Sequence, residues 1–433
     1  MGYPINRKLG GERMQSFYDL YNQLVQASMK GKLQEKVDEG IPGLDEHQLD
    51  CLLNPRKYAP VWRLEDCNCP ADAQKACEGR CLFDAFHRDE NGNMTVDPDR
   101  CVGCSVCIDE CKAKKLTESK EVLPLVEVLR DGKKPVYAMI APAFIGQFSN
   151  EVTPGKLRTA FKKLGFTGMV EVALFADILT LKEALEFDRT IQKEEDFLLT
   201  SCCCPIWIAM IRRVYDQLVT HVPGAVSPMV ACGRSIKVLD PDAVTVFVGP
   251  CVAKKAESKE KDIADAVDYV LTFQEVRDLF DFARIDPVEM EPDDRDHSSR
   301  AGRIYARSGG VSEAVKNTLN KINPNRKIPL TTAQANGVPE CRAMLNRLME
   351  GKADGNFLEG MGCVGGCVGG PKAILNRDEG RQHVNEYGDT AAYETPAENP
   401  YVIELLQRLG LPTVESLLEH SDIFTRDLSA KVK

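Results

Sequence analysis

Residues 200–207 read Thr-Ser-Cys-Cys-Cys-Pro-Ile-Trp, and three consecutive cysteines are hard to explain as packing. Neighbouring side chains of an extended segment point to opposite faces, so no single apolar core receives all three. A short strand-like run (196–200) leads into them, and apolar residues at helical spacing (206–218) follow. Pro205 suits the first turn of that helix. The thiols therefore sit where a strand ends and a helix begins, the ligand-binding edge of an open α/β sheet. Metal ligation is the chemistry this position favours.

A second concentration lies upstream. Cys101, Cys104, Cys107 and Cys111 follow C-x2-C-x2-C-x3-C, the run that wraps a cubane iron–sulfur cluster. Before it stand Cys67, Cys69, Cys77 and Cys81, spaced C-x-C-x7-C-x3-C. In two-cluster ferredoxins the fourth cysteine of such a run ligates the other cluster. The crossed assignment gives Cys67, Cys69, Cys77 and Cys111 to one 4Fe–4S cluster, and Cys101, Cys104, Cys107 and Cys81 to a second. Four thiolates also suit zinc, but two interleaved sets with more cysteines downstream make electron transfer the more economical reading. Lys112 follows the last cysteine where ferredoxins usually place proline.

Two further motifs carry thiols. Residues 249–257 read Gly-Pro-Cys-Val-Ala-Lys-Lys-Ala-Glu, and residues 359–371 read Glu-Gly-Met-Gly-Cys-Val-Gly-Gly-Cys-Val-Gly-Gly-Pro. The glycines are poor helix formers, but they let backbone approach a bulky group closely. One cysteine of the first motif with Cys251, Cys363 and Cys367 would supply four thiolates from three loops, a third cubane.

The elements that must position these residues alternate from Pro135 onward. Strands are expected at 136–141, 169–174, 196–200 and 244–248, and helices at 155–164 and 177–192. That alternation implies an α/β arrangement, largely parallel with helices outside. Residues 1–62 carry helical patterning, 63–130 form a small βαβ-like cluster module, and 135–433 form the larger domain with C-terminal helices at 401–409 and 414–418. Residues 257–262 read as a solvated helix face or loop. Cys51, Cys232 and Cys341 stand apart and read as core.

Composition sets the outer limits. The chain has 433 residues and a formal charge of −10, against the basic footprint expected of a nucleic-acid binder. No apolar run reaches membrane-spanning length, and the first residues lack the apolar core of a signal peptide. Seventeen cysteines in tight clusters, with only six histidines, favour metal ligation in a reducing cytoplasm over a secreted disulfide framework.

In order, the three downstream motifs resemble the signatures of the iron-only (FeFe) hydrogenases, roughly TSCCPxW, MPCxxKxxE and ExMxCxGGCxxGGG. The resemblance implies an FeFe-hydrogenase-like catalytic domain with parallel-rich sheets and flanking helices, plus a small bacterial-ferredoxin-like α+β domain. It implies three 4Fe–4S clusters, one of them part of an H-cluster whose diiron subsite carries CO, cyanide and a bridging dithiolate after maturation. By position, Cys367 matches the bridging ligand, with Cys251 and Cys363 completing the cubane. Lys254 matches the lysine that holds a cyanide, and Glu257 the carboxylate that orients it. Met361 matches the methionine against the diiron bridge. Ala141 and Pro142 resemble the pocket-lining Ala-Pro pair, and Ser227 and Pro228 the Ser-Pro pair near the other cyanide. Glu183 and Glu186 resemble two relay glutamates, and their i, i+3 spacing puts both on one helix face. The implied reaction is reversible splitting of H2, with protons and a redox partner such as ferredoxin, and no nucleic acid or membrane partner.

Several positions depart from that pattern. Gly249 stands where methionine is expected, Met229 where glutamine is common, Pro223 where the relay has a serine, and Ala306 where glycine is expected. Retained ligands with altered surroundings resemble the divergent, sensory groups of the family: a low-turnover, hydrogen-sensing enzyme needing a separate signalling partner. The rivals are an ordinary reversible ferredoxin-linked hydrogenase and a non-catalytic iron–sulfur carrier or assembly protein. Retention of Lys254, Glu257 and Met361 speaks against the last.

The triple cysteine leaves two registers open. Anchored on Pro205, Cys204 is the cubane ligand and Cys203 the proton relay. Anchored on Thr200-Ser201, Cys203 is the ligand and Cys202 the relay. The proline anchor is preferred, because Pro205 and Trp207 fix the helix start behind the ligand.

Overall fold

The computed structural model describes residues 16–65, 77–88, 90, 94–200 and 203–429. Cys67, Cys69 and Cys202 lie outside the described residues.

The chain begins with helices Phe17–Met29, Leu33–Asp38 and Glu46–Leu53. Ser16 caps the first, accepting from the Asp19 N–H while Asp19 answers the Ser16 N–H. Strand β1 (Val61–Arg63) then pairs antiparallel with β4 (Leu116–Glu118), enclosing the cysteine-rich stretch. Inside that stretch β2 (Phe86–Arg88) pairs antiparallel with β3 (Met94–Val96), and Val106–Glu110 is a short helix. Among the described residues the module's strands pair antiparallel, in two small sheets, rather than in the parallel fashion of a βαβ unit.

The expected parallel strands divide between two sheets. The first has the order β6-β5-β8-β9, with β5 at Val136–Ile140, β6 at Gly168–Glu171, β8 at Val244–Gly249 and β9 at Tyr269–Thr272. All its pairings are parallel. Every residue of β8 is buried, which fits the continuous apolar run of a strand covered on both faces. The second sheet has the order β10-β11-β7, with β7 at Leu198–Leu199, β10 at Thr332–Asn336 and β11 at Phe357–Met361, again parallel throughout.

Some sequence expectations shift. The strand expected at 169–174 stops at Glu171, and Ala173 already belongs to the long helix Ala173–Thr190. An apolar run of this kind reads equally as strand or as buried helix. The strand expected at 196–200 shrinks to two residues. The helix behind the triple cysteine is Pro205–Val214, followed by a 3-10 turn at Asp216–His221. Residues 257–262 are not wholly solvated, since Glu257 is buried.

Register fixes what leaves each sheet edge. Ile140 pairs with both Glu171 and Val248, so Ala141-Pro142 and Gly249-Pro250-Cys251 emerge side by side. In the other sheet Leu199 pairs with Leu358 and Asn336 with Met361, so the first and third motifs leave a common edge. Both edges are the C-terminal ends of parallel strands, where α/β sheets place ligands. Among the described residues no helix is long and apolar enough to cross a membrane.

Candidate metal centre

Helix Pro205–Val214 starts at Cys204, its N-cap residue, and Pro205 opens its first turn. The Gly362 N–H donates to Cys204 Sγ at 3.3 Å, tying the first motif to the third. Backbone contact is close throughout. A Cβ on Gly360 would fall 2.1 Å from the Trp207 ring, one on Gly362 would lie 2.6 Å from Ile206 Cβ, and one on Gly370 would lie 2.8 Å from Pro250 O. Gly366, at φ +85°, would meet Ser308 N at 2.6 Å and Ala306 O at 3.0 Å. Ala306, at an expected glycine, is thus part of the wall against which Gly366 is pressed.

These contacts gather Cys204, Cys251, Cys363 and Cys367. Burial pushes the Cys251 thiol up to about 11 and Cys367 up to about 12, and it raises Cys363 as well, with other thiols of the group adding to each. Cys203 is likewise pushed up by burial, then by Cys204 and Glu183. Cys204 and Cys203 thus both stand at the group, and Cys202 lies outside the described residues. Four thiols gathered without a disulfide, Cys204 buried and the other three half-buried, suit an iron–sulfur cluster as a soft donor set. Among the described residues no three His, Cys, Asp or Glu side chains converge tightly enough for a single ion.

Charge is built in beside the thiols. Lys254 is buried and donates to Glu257 Oε2 at 2.6 Å. Burial opposes its charge, but Glu257, and then Cys251 and Cys367, hold its pKa above the usual lysine range. Glu257 Oε1 is buried and lacks a hydrogen-bond partner. Met361 ends β11, buried in the cluster against which Cys203 and Cys251 pack. Glu183 is buried on helix Ala173–Thr190, whereas Glu186, one turn on, is partly exposed and paired with Arg189 at 2.8 Å. Pro223, at the expected relay serine, is buried and offers no hydroxyl. Ala141 is buried beside Gly249, where an added Cβ would come within 3.1 Å of it, and Pro142 opens a 3-10 turn. Ser227 caps helix Pro228–Leu239, accepting from the Val230 N–H at 3.4 Å. Its hydroxyl therefore has a structural task as well.

Glu359 was not singled out by sequence. Fully buried, it accepts from the Gly309 N–H at 2.7 Å, the Ser312 N–H at 2.8 Å and the Ser312 hydroxyl at 2.7 Å. It pins the loop that faces Gly366 to the third motif. A lone carboxylate in the apolar run Phe-Leu-Glu-Gly-Met was the available signal.

The upstream cysteines form a second centre. Cys81, Cys101, Cys104 and Cys107 line one cavity. Burial raises the Cys77 thiol, and the charge of nearby Cys111 adds to that rise. Cys67 and Cys69, the other ligands of the crossed assignment, lie outside the described residues. Gly103, at φ +68°, packs so tightly on the second motif that a Cβ would lie 2.9 Å from Val252 O. Cys104 is correspondingly among the thiols acting on Cys363. Cys51, Cys232 and Cys341 are fully buried.

Comparison with known proteins decides the family. Residues 134–371 match the profile of the iron only hydrogenase large subunit, C-terminal domain, which is more than half of the chain. The chain belongs to the iron-only hydrogenase family. It is 28% identical over 318 residues to iron hydrogenase 1 of Clostridium pasteurianum, a match covering 62% of this chain and 54% of that protein. The chain thus spans about half of that relative's length. It is also 25% identical over 382 residues to cytosolic iron-sulfur assembly component 3 of Pongo abelii, covering 72% and 79% of the two chains. An FeFe hydrogenase structure from Chlamydomonas reinhardtii has the same fold, with a TM-score of 0.57 at 20% identity over 67% of this chain and 94% of that one. The family accounts for the α/β architecture and implies iron–sulfur clusters and an H-cluster site.

Proposed function

We propose that this protein is an FeFe hydrogenase of low turnover, acting as a hydrogen sensor and passing electrons through two upstream 4Fe–4S clusters. The observation that carries the reading is the buried Lys254–Glu257 pair beside the four gathered thiols. Breaking a buried ion pair is costly and forming one gains little, so a charge kept there needs a partner, and a bare cubane does not need it. Cys204, Cys251, Cys363 and Cys367 would hold the cubane, with Cys367 shared with the diiron subsite. Lys254 would hold an anionic ligand of that subsite, and Met361, Ala141, Pro142, Ser227 and Pro228 would enclose it. When bound, the group supplies heterolytic cleavage of H2; the chain supplies orientation, dryness and wiring.

Cys203 and Glu183 would carry protons from the site. Pro223 interrupts the hydroxyl relay towards Glu186, which supports low turnover. Cys104, set close to Cys363, supports electron exchange between the modules, and Cys67, Cys69, Cys77 and Cys111 would hold the outer cluster. A ferredoxin-like carrier is the fitting redox partner in a reducing cytoplasm, and a separate signalling protein would read the state of the site.

A second reading, an iron–sulfur assembly function without the diiron subsite, is favoured by the similarity to the Pongo abelii protein. Infrared spectroscopy after supplying the diiron group separates them. Under the main reading CO and cyanide bands appear, with slow hydrogen turnover. Bands with fast turnover would support an ordinary hydrogenase, and absence of bands would overturn every hydrogenase reading.

A further inference from the structure

Strand β8 runs Val-Thr-Val-Phe-Val-Gly into Pro250-Cys251, so Phe247 and Gly249 lie two residues apart on one face of the sheet. A Cβ built on Gly249 would lie 2.8 Å from Phe247 Cε1, 3.0 Å from Phe247 Cζ and 3.1 Å from Ala141 Cβ. The space a side chain at 249 would enter is therefore filled by the Phe247 ring, which is itself only 3% exposed. The centroid of that ring lies 6.0 Å from Lys254 Nζ, at the outer limit of a cation–π contact. Among the described residues Glu257 is the ammonium's one hydrogen-bond partner, so two of its three donors remain available.

We infer that Phe247 is a positioning residue for Lys254: its ring takes the place left by Gly249, closes the Ala141 side of the pocket to water, and keeps the ammonium's free donors dry for an anionic ligand. This rests on the function proposed above. The loss of a large residue at 249 is then no opening of the pocket. Residues 247 and 249 exchange bulk: a large side chain at one requires a small one at the other. An aromatic ring beside a buried ammonium also stabilises the cation through its quadrupole, which a thioether does not do in the same way.

The test uses full-length protein with its cubanes in four forms: wild type, Phe247→Ala, Gly249→Met, and the double variant. Before diiron loading, a brief pulse of acetic anhydride followed by peptide mass spectrometry reads the exposure of Lys254, and thermal unfolding reads packing. Gly249→Met alone should lower the unfolding midpoint, and Phe247→Ala in the same chain should recover most of that loss. Phe247→Ala alone should raise acetylation of Lys254 several-fold, and the double variant should return it towards wild type. After loading, Phe247→Ala should shift the cyanide stretches more than the CO stretches, because under the proposed function the lysine would hold a cyanide. Gly249→Met tolerated without loss of midpoint, or Phe247→Ala with wild-type acetylation, would overturn the inference. If wild type shows no CO or cyanide bands, the hydrogenase reading fails, while acetylation and the midpoints still decide whether Phe247 shields Lys254.

Discussion

In the upstream centre Cys81, Cys101, Cys104 and Cys107 come from one short stretch of chain, and the cavity they line is otherwise apolar apart from Ser105. In the downstream centre Cys204, Cys251, Cys363 and Cys367 come from loops at the edges of two separate parallel sheets, and Lys254, Glu257 and Glu359 are buried around them. An electron-carrying cluster needs thiolates and insulation, which a local loop provides. A site that must hold a charged ligand needs fixed charge, and fixed charge in a dry interior requires a rigid frame to keep it paired. The two sheets are that frame. Under the proposed function, the downstream centre would be the place of chemistry and the upstream one its supply line.

Removing a downstream thiol should break this contrast most sharply. Cys251→Ala is expected to lose the cubane of the large domain, together with any diiron group, while the upstream clusters remain. Iron and sulfide analysis with electron paramagnetic resonance of the reduced protein checks this. Loss of upstream signals as well would mean the two centres fold as one. Lys254→Ala should be narrower in effect. The cubane stays, and the CO and cyanide infrared bands are lost or strongly reduced after diiron loading. Normal loading of this variant would sink the role given to the lysine.

The seam between the two regions carries its own buried charges. Glu118, on β4, pairs with Lys120 and with Lys372 Nζ at 2.9 Å, just beyond the third motif. Close by, Lys255 donates to Ser119 O at 2.6 Å and to both Glu275 oxygens at 3.1 Å. Burial alone would raise the Glu118 pKa, yet Lys120 and Lys372 hold it well below the usual carboxylate range. A depressed folded-state pKa gives stability that is present above the unfolded value, about 4.3, and drains as pH falls below it. Glu118→Gln should therefore cost about 3–5 kcal/mol at neutral pH, because Lys120 and Lys372 are left without their countercharge. Denaturant titration should show that difference shrinking between about pH 4 and pH 2. A pH-independent difference would mean the effect is one of shape.

The sequence was most informative where ligands are local. Short spacing made the upstream cysteines readable as candidate cluster ligands, and their crossed assignment follows the pattern of two-cluster ferredoxins. Nothing in local periodicity says that residue 204 meets residue 363. That meeting follows from the register of β11 with β7, and it was legible only through resemblance of whole motifs. Glu359 and Phe247 escaped for a related reason. Each sits in a buried strand where residue type suggests packing, and its task shows only once its neighbours in space are placed. The border at 171–173 was misplaced because a run of small and branched apolar residues suits strand and buried helix alike.

The smallest effect is expected at Cys341, and it tests whether proximity to the downstream thiols is enough to make a ligand. Helix Val338–Met349 places this thiol fully inside the protein, with Sγ 3.5 Å from Met361 O and 3.8 Å from Ala335 O. It thus faces carbonyls of β11 and β10, in the layer between helix and sheet. Burial pushes its pKa far up, and Cys204 adds to that shift, so the thiol stays protonated. A protonated thiol that donates to carbonyls behaves as a small apolar group with a weak donor, not as a ligand. Cys341→Ala should accordingly cost about 1–2 kcal/mol through lost packing, with iron content and spectra unchanged. A fall in iron would move Cys341 into the cage and displace one of the four thiols assigned to it.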